Sequence, residues 1–179
     1  QSRAYFKRYR RIREPVEGAL LMKKAIYPGS FDPITNGHLN IIERALDIFD
    51  SVTVVIATNP HKTPLFSVEE SLEMIAEATE RWPQVLVDCN EGLTVDYARR
   101  AGICTAVRGL RAVTDFEHEF SMALTNRSLW PDFDTVFLMT RVDYMYLSSS
   151  VVRQVAQLGG DVSQFVPASI EQRLKAKFA

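Results

Sequence analysis

Twelve consecutive residues, Tyr27-Pro28-Gly29-Ser30-Phe31-Asp32-Pro33-Ile34-Thr35-Asn36-Gly37-His38, have the types and spacing to hold an anion. They follow a short apolar run and lead into a helical pattern. A strand, a Gly-containing loop and a helix N-terminus in that order aim backbone N–H groups and the positive helix end at a ligand. Gly29 permits close backbone approach to a phosphate, and Asn36-Gly37 supplies a tight turn. His38 falls in the first helical turn, where its ring can donate to a phosphoryl oxygen. The loop is neither GxGxxG nor GxxxxGK[ST], so it is not a dinucleotide fingerprint or a P-loop.

Other residues point to the same chemistry. Arg108-Gly109-Leu110-Arg111 ends a second apolar run, and arginines there need an anionic partner. Ser148-Ser149-Ser150 opens a helical pattern, where hydroxyls and N–H groups can hold phosphates. Lys62 is singled out only by its place after the second strand. His61 and His118 have no partner at metal-ligand spacing, and no His/Asp/Glu cluster preforms a metal cage.

The elements that must position these residues alternate. Strands are expected at Lys23–Tyr27, Val52–Ala57, Val85–Asp88, Thr105–Arg108 and Thr135–Met139. Their short, near-continuous apolar character suits a sheet buried on both faces. Helices are expected at His38–Phe49, from Ser67 to about Arg81, and at Val95–Ala101, Asp115–Leu129, Ser148–Leu158 and Ala168–Lys177. Ser67 and Glu70 have capping-box spacing, and Gly102 stands where a C-cap glycine belongs. The order predicts a single Rossmann-like, doubly wound α/β domain: a five-stranded parallel sheet with helices on both faces. Ligands in such a sheet bind at the carboxyl ends of the strands, where strand order reverses.

The chain has 179 residues, 46% apolar and 24% charged, with a net charge of −1. That suits one domain and argues against bulk binding of polyanions. No apolar run approaches the roughly 18 residues of a membrane span. Two cysteines, Cys89 and Cys104, are too few for a disulfide framework; they are expected to be small buried residues, in a reducing cytoplasm. Residues 1–21 carry six basic residues against two acidic ones, and the remainder 15 against 20. The segment is expected to be a leader or remnant ahead of the catalytic domain, 22–179; a basic arm for nucleic acid or for a neighbouring subunit is the alternative.

Three motifs together resemble a known family. Thr35-Asn36-Gly37-His38 resembles the (His or Thr)-x-Gly-His signature of the nucleotidyltransferase superfamily. Leu147-Ser148-Ser149-Ser150-Val151-Val152-Arg153 resembles its Ile-Ser-Ser-(Thr or Ser)-x-x-Arg signature. The run from Arg108 to Glu119 is similar to bacterial phosphopantetheine adenylyltransferases in particular. The resemblance implies transfer of the adenylyl group of ATP to 4′-phosphopantetheine, giving dephospho-coenzyme A and pyrophosphate by in-line attack of the acceptor phosphate on the α-phosphate. It implies catalytic roles for His38, Lys62 and Arg111. ATP contacts are implied for Ser30, Phe31, His38, Gly109, Leu110, Arg111, Glu119, Tyr144, Met145, Tyr146, Leu147, Ser148, Ser149 and Ser150. Acceptor contacts are implied for Ser30, Lys62, Thr94 and Arg108. It further implies Mg2+ delivered with ATP, a homohexamer, and coenzyme A as feedback inhibitor, with no nucleic-acid or membrane partner.

Overall fold

The computed structural model describes residues 22–58 and 63–178; residues 1–21, His61 and Lys62 lie outside them. Five strands, β1 (Lys24–Gly29), β2 (Ser51–Thr58), β3 (Val85–Glu91), β4 (Thr105–Leu110) and β5 (Asp134–Met139), form one sheet in the order β3-β2-β1-β4-β5. Every pair is parallel. Six α-helices connect and follow them: α1 (Asn36–Leu46), α2 (Val68–Ala78), α3 (Thr94–Ala101), α4 (Val113–Leu129), α5 (Ser149–Gln157) and α6 (Ala168–Phe178). Among the described residues no helix is long and apolar enough to cross a membrane.

Period-two alternation divides the core between the sheet's faces. Ala25, Tyr27, Val52, Val54 and Ile56 point to one face, where they meet Ile42 of α1, Ile75 of α2, Val152 of α5 and Leu174 of α6. Ile26, Val55 and Ala106 point to the other, against Val95 and Ala98 of α3 and Phe133. Helices therefore cover both faces. The central strands are buried as expected, whereas β3 and β5, lacking an outer neighbour, are partly exposed.

Chain order reverses between β1 and β4. β1 pairs with β2 from Lys24 to Gly29, but with β4 only at Ile26↔Ala106. Pro28, two residues beyond Ile26 and so facing the same neighbour, has no N–H to continue that ladder. The two strand ends separate there, and a crevice opens at the switch point.

Local chemistry sets the helix ends. Ser67 caps α2 with Glu70 completing the box, and Gly102 ends α3 at φ 67°, a conformation glycine adopts without steric cost. α2 stops at Ala78 rather than near Arg81: the backbone leaves the helical region at Thr79, φ −108° and ψ 5°, with the Thr79 hydroxyl donating to the Ile75 carbonyl at 2.7 Å. Both cysteines are exposed rather than buried. Cys89 is on edge strand β3, and Cys104 precedes β4.

Candidate active site

The N-terminus of α1 is built around Thr35. Its hydroxyl accepts from the His38 N–H at 3.4 Å, and its own N–H donates to His38 Nδ1 at 3.1 Å. This is a reciprocal cap with a histidine in the place usually held by Glu or Gln. Thr35, not Asn36, is the cap. Asn36 instead reaches the segment before α6, its N–H bonding the Phe165 carbonyl and its side-chain amide the Gln164 carbonyl.

Since Nδ1 accepts a backbone N–H, the neutral ring carries its proton on Nε2. Burial holds the His38 pKa down, and the Arg111 and Arg108 charges add to this, bringing it to about 4. Near pH 7 the imidazole is a neutral donor, aimed by its cap.

Phe31 braces it from below. Its backbone sits at φ 45°, unusual for a residue with a side chain. The ring folds back edge-on to Tyr27 at 5.2 Å and to His38 at 5.0 Å. A Cβ on Gly29 would lie 2.9 Å from that ring. Gly29 is therefore small to admit Phe31, and its backbone φ is not in the left-handed region.

Two arginines close the β4 side, and neither waits for an anion unpartnered. Arg108 makes a two-pronged pair with Glu119 of α4 at 2.6 and 2.5 Å and also donates to the Pro28 carbonyl. That bond spans the gap where the β1–β4 ladder stops. Arg111 grips Asp115 at 2.9 and 3.1 Å and the Leu147 carbonyl at 2.8 Å. Burial alone would raise the Asp115 carboxyl; bonds from Arg111 overcome that and hold it below the usual range. Arg111 thus fixes the segment that leads into the serines of α5. Ser148 caps that helix, accepting from the Val151 N–H at 3.2 Å.

These residues line a cavity of about 290 Å³, bounded by Ser30, Phe31, Thr35, His38, Gly109, Arg111, Glu119, Tyr144, Leu147 and Ser148–Ser150 among others. It opens beside a larger one of about 1110 Å³ that contains Thr94, Phe66, Ile56, Met122 and His118. Pro28, Gly29, Ser30, Arg108, Glu119, Ser149 and Ser150 border both. Two helix N-termini, a neutral imidazole donor and two guanidinium groups line the smaller cavity, a setting for drawing anions together. Among the described residues no three His, Cys, Asp or Glu side chains form a metal cluster.

A cytidylyltransferase-like family model matches residues 26–155. The phosphopantetheine adenylyltransferase of Desulforudis audaxviator is 53% identical over 157 residues, which are 88% of this chain and 96% of that protein. The phosphopantetheine adenylyltransferase of Carboxydothermus hydrogenoformans is 52% identical over 88% of this chain and 97% of its own length. The chain belongs to the phosphopantetheine adenylyltransferase family. A bifunctional NMN adenylyltransferase/ADP ribose pyrophosphatase from Francisella tularensis shares the fold, with a TM-score of 0.66 at 16% identity; the match covers 87% of this chain and 49% of that one.

Within this member of the phosphopantetheine adenylyltransferase family, eleven of the fourteen positions expected to contact ATP border the smaller cavity, and three do not. Leu110 is buried, Met145 is 43% exposed, and Tyr146 is 62% exposed with its ring edge-on to Phe165. Each neighbours a cavity residue in sequence, but its side chain turns away. Thr94 starts α3 beside the larger cavity. Thr35, Tyr27 and Asp115 fall inside the motifs read from the sequence, but no role was expected of them. Thr35 had a signal in its place three residues before His38; Asp115 had one in its i,i+4 spacing from Arg111.

Proposed function

We propose that this protein transfers the adenylyl group of ATP to 4′-phosphopantetheine, releasing pyrophosphate and dephospho-coenzyme A, the penultimate step of coenzyme A biosynthesis. The observation that carries the reading is the neutral His38, its Nδ1 tied to Thr35 and its ring lining the smaller cavity, with Nε2–H left to donate there. The acceptor is already an anion at neutral pH, so the reaction needs alignment and charge stabilisation rather than a nucleophilic side chain.

In this reading the smaller cavity takes ATP. Its α-phosphate lies by His38, its remaining phosphates by Arg111 and the α5 N-terminus, and Ser30, Phe31 and Gly109 form its walls. The larger cavity takes the phosphopantetheine, with Thr94 beside its arm and Arg108 near its phosphate. Lys62, outside the described residues, is proposed as a second cation for that phosphate. Mg2+ would come with ATP, liganded by phosphate oxygens and water, since Asp115 and Glu119 are each held by an arginine.

Residues 22–179 form the proposed catalytic domain, in a reducing cytoplasm that suits the exposed thiols of Cys89 and Cys104. A homohexamer is proposed as the working form, supported by the exposed Phe116, Phe120, Met122, Leu124 and Leu129 of α4. Coenzyme A is proposed to inhibit by occupying the acceptor side. The test is pyrophosphate release with ATP or CTP and either 4′-phosphopantetheine or nicotinamide mononucleotide. Turnover with ATP and 4′-phosphopantetheine supports the reading; adenylylation of nicotinamide mononucleotide alone overturns it.

A further inference from the structure

One carboxylate ties three separate segments together beside the site. Asp32, in the loop after β1, is 7% exposed. Its Oδ2 accepts the Leu65 N–H at 3.0 Å and its Oδ1 the Phe66 N–H at 3.1 Å. Arg153 of α5 donates to Oδ2 at 3.0 Å and to the Asp32 carbonyl. Next to this, Ser149 donates to the Pro33 carbonyl at 2.8 Å. The β1–α1 loop, the segment entering α2 and the first turns of α5 are thereby fixed to one another.

The location decides which substrate this concerns. Asp32 and Arg153 both line the larger cavity, together with Thr63, Pro64 and Phe66 of the tethered segment. Neither lines the smaller cavity. We infer that the Asp32–Arg153 pair is a positioning device for the acceptor side, holding the 63–66 wall and the β1–α1 loop at the spacing the acceptor phosphate requires. This rests on the assignment of the larger cavity to phosphopantetheine. The arginine of the Ser-Ser-Ser-x-x-Arg run then serves through Asp32 rather than on the triphosphate. Its charge is directed at a buried carboxylate, where a guanidinium can satisfy an oxygen and a carbonyl at once.

The test compares Arg153→Ala, Arg153→Lys and Asp32→Asn with the wild type in the full chain, measuring KM for each substrate, kcat and the thermal midpoint. Arg153→Ala is expected to raise KM for 4′-phosphopantetheine at least tenfold and to leave KM for ATP within twofold. Arg153→Lys should recover most of that loss, because an ammonium still reaches the carboxylate. Should Arg153→Ala fail to fold, Asp32→Asn carries the same comparison, since it keeps the shape and removes the charge. A lowered thermal midpoint with both KM values unchanged, or an equal rise in KM for ATP, overturns the proposal. A wild type that never adenylylates phosphopantetheine overturns the functional reading itself. In that event hydrogen exchange at the Leu65 and Phe66 amides still reads the tie, and rates unchanged by Asp32→Asn would refute it.

Discussion

The backbone N–H of Thr35 donates to Nδ1 of His38 across 3.1 Å, and that bond decides which nitrogen of the ring faces the reactants. A helix cap and a catalytic donor are the same pair of residues. The ring position is therefore set by α1 itself rather than by a carboxylate elsewhere. His38→Ala should lower kcat by about 10²–10³-fold, the loss expected for one preorganised donor. The fold should persist, because the backbone N–H at position 38 still donates to the Thr35 hydroxyl. Steady-state kinetics with a urea melt checks both; unchanged kcat would contradict the role.

His38 also makes a pH prediction. Its pKa in the folded protein is about 4, against 6.5 for an unperturbed histidine. Between these values the unfolded chain binds the proton and the folded one does not, so stability falls as pH drops through that window. Above pH 6.5 neither state is protonated and the effect vanishes. Urea unfolding at pH 7 and pH 5 should show a loss of about 2 kcal/mol that His38→Gln abolishes. An imidazole NMR titration of His38 centred near 6.5 would refute the assignment.

The Arg108–Glu119 pair predicts asymmetry. Glu119 is only 13% exposed and Arg108 30%. Removing the carboxylate strands a largely dehydrated cation, so Glu119→Gln should cost about 2 kcal/mol, discounted from fully buried cases because Arg108 meets some solvent. Replacing both, as Arg108→Met with Glu119→Leu, should cost less than the two single changes summed. Denaturant midpoints of the four proteins test this, and strict additivity would show that the pair is not coupled.

Gly109 tests packing against the site. A Cβ there would lie 2.9 Å from Ile41 Cγ1 and 3.1 Å from Cδ1. Gly109→Ala should therefore cost about 1–3 kcal/mol through overpacking between β4 and α1. It should also shift His38, which shares that helix. A variant as stable and as active as the wild type would refute the close approach.

What could be read from the sequence was local. The strands, the Ser67–Glu70 cap and the Gly102 helix end rest on neighbours within four residues, so composition and spacing were enough. The anion loop was legible for the same reason, although its cap was not, because the usual rule expects Glu or Gln where His38 stands. The ties between distant segments were hidden by their separation in the chain. Arg108 meets Pro28 across 80 residues, and Asp32 meets Leu65 and Phe66 more than 30 residues away. The exposure of Cys89 followed from β3 being an edge, a matter of strand order that five similar apolar runs do not reveal.

The central claim is that the acceptor phosphate attacks ATP directly, with no side chain carrying the adenylyl group between them. Incubation of the protein with ATP labelled at the α-phosphate, first without and then with 4′-phosphopantetheine, tests it most directly. The expected result is no label on the denatured protein and no pyrophosphate until the acceptor is added, followed by equal amounts of pyrophosphate and labelled dephospho-coenzyme A. One adenylyl group bound per chain, with a matching burst of pyrophosphate before the acceptor arrives, would contradict it.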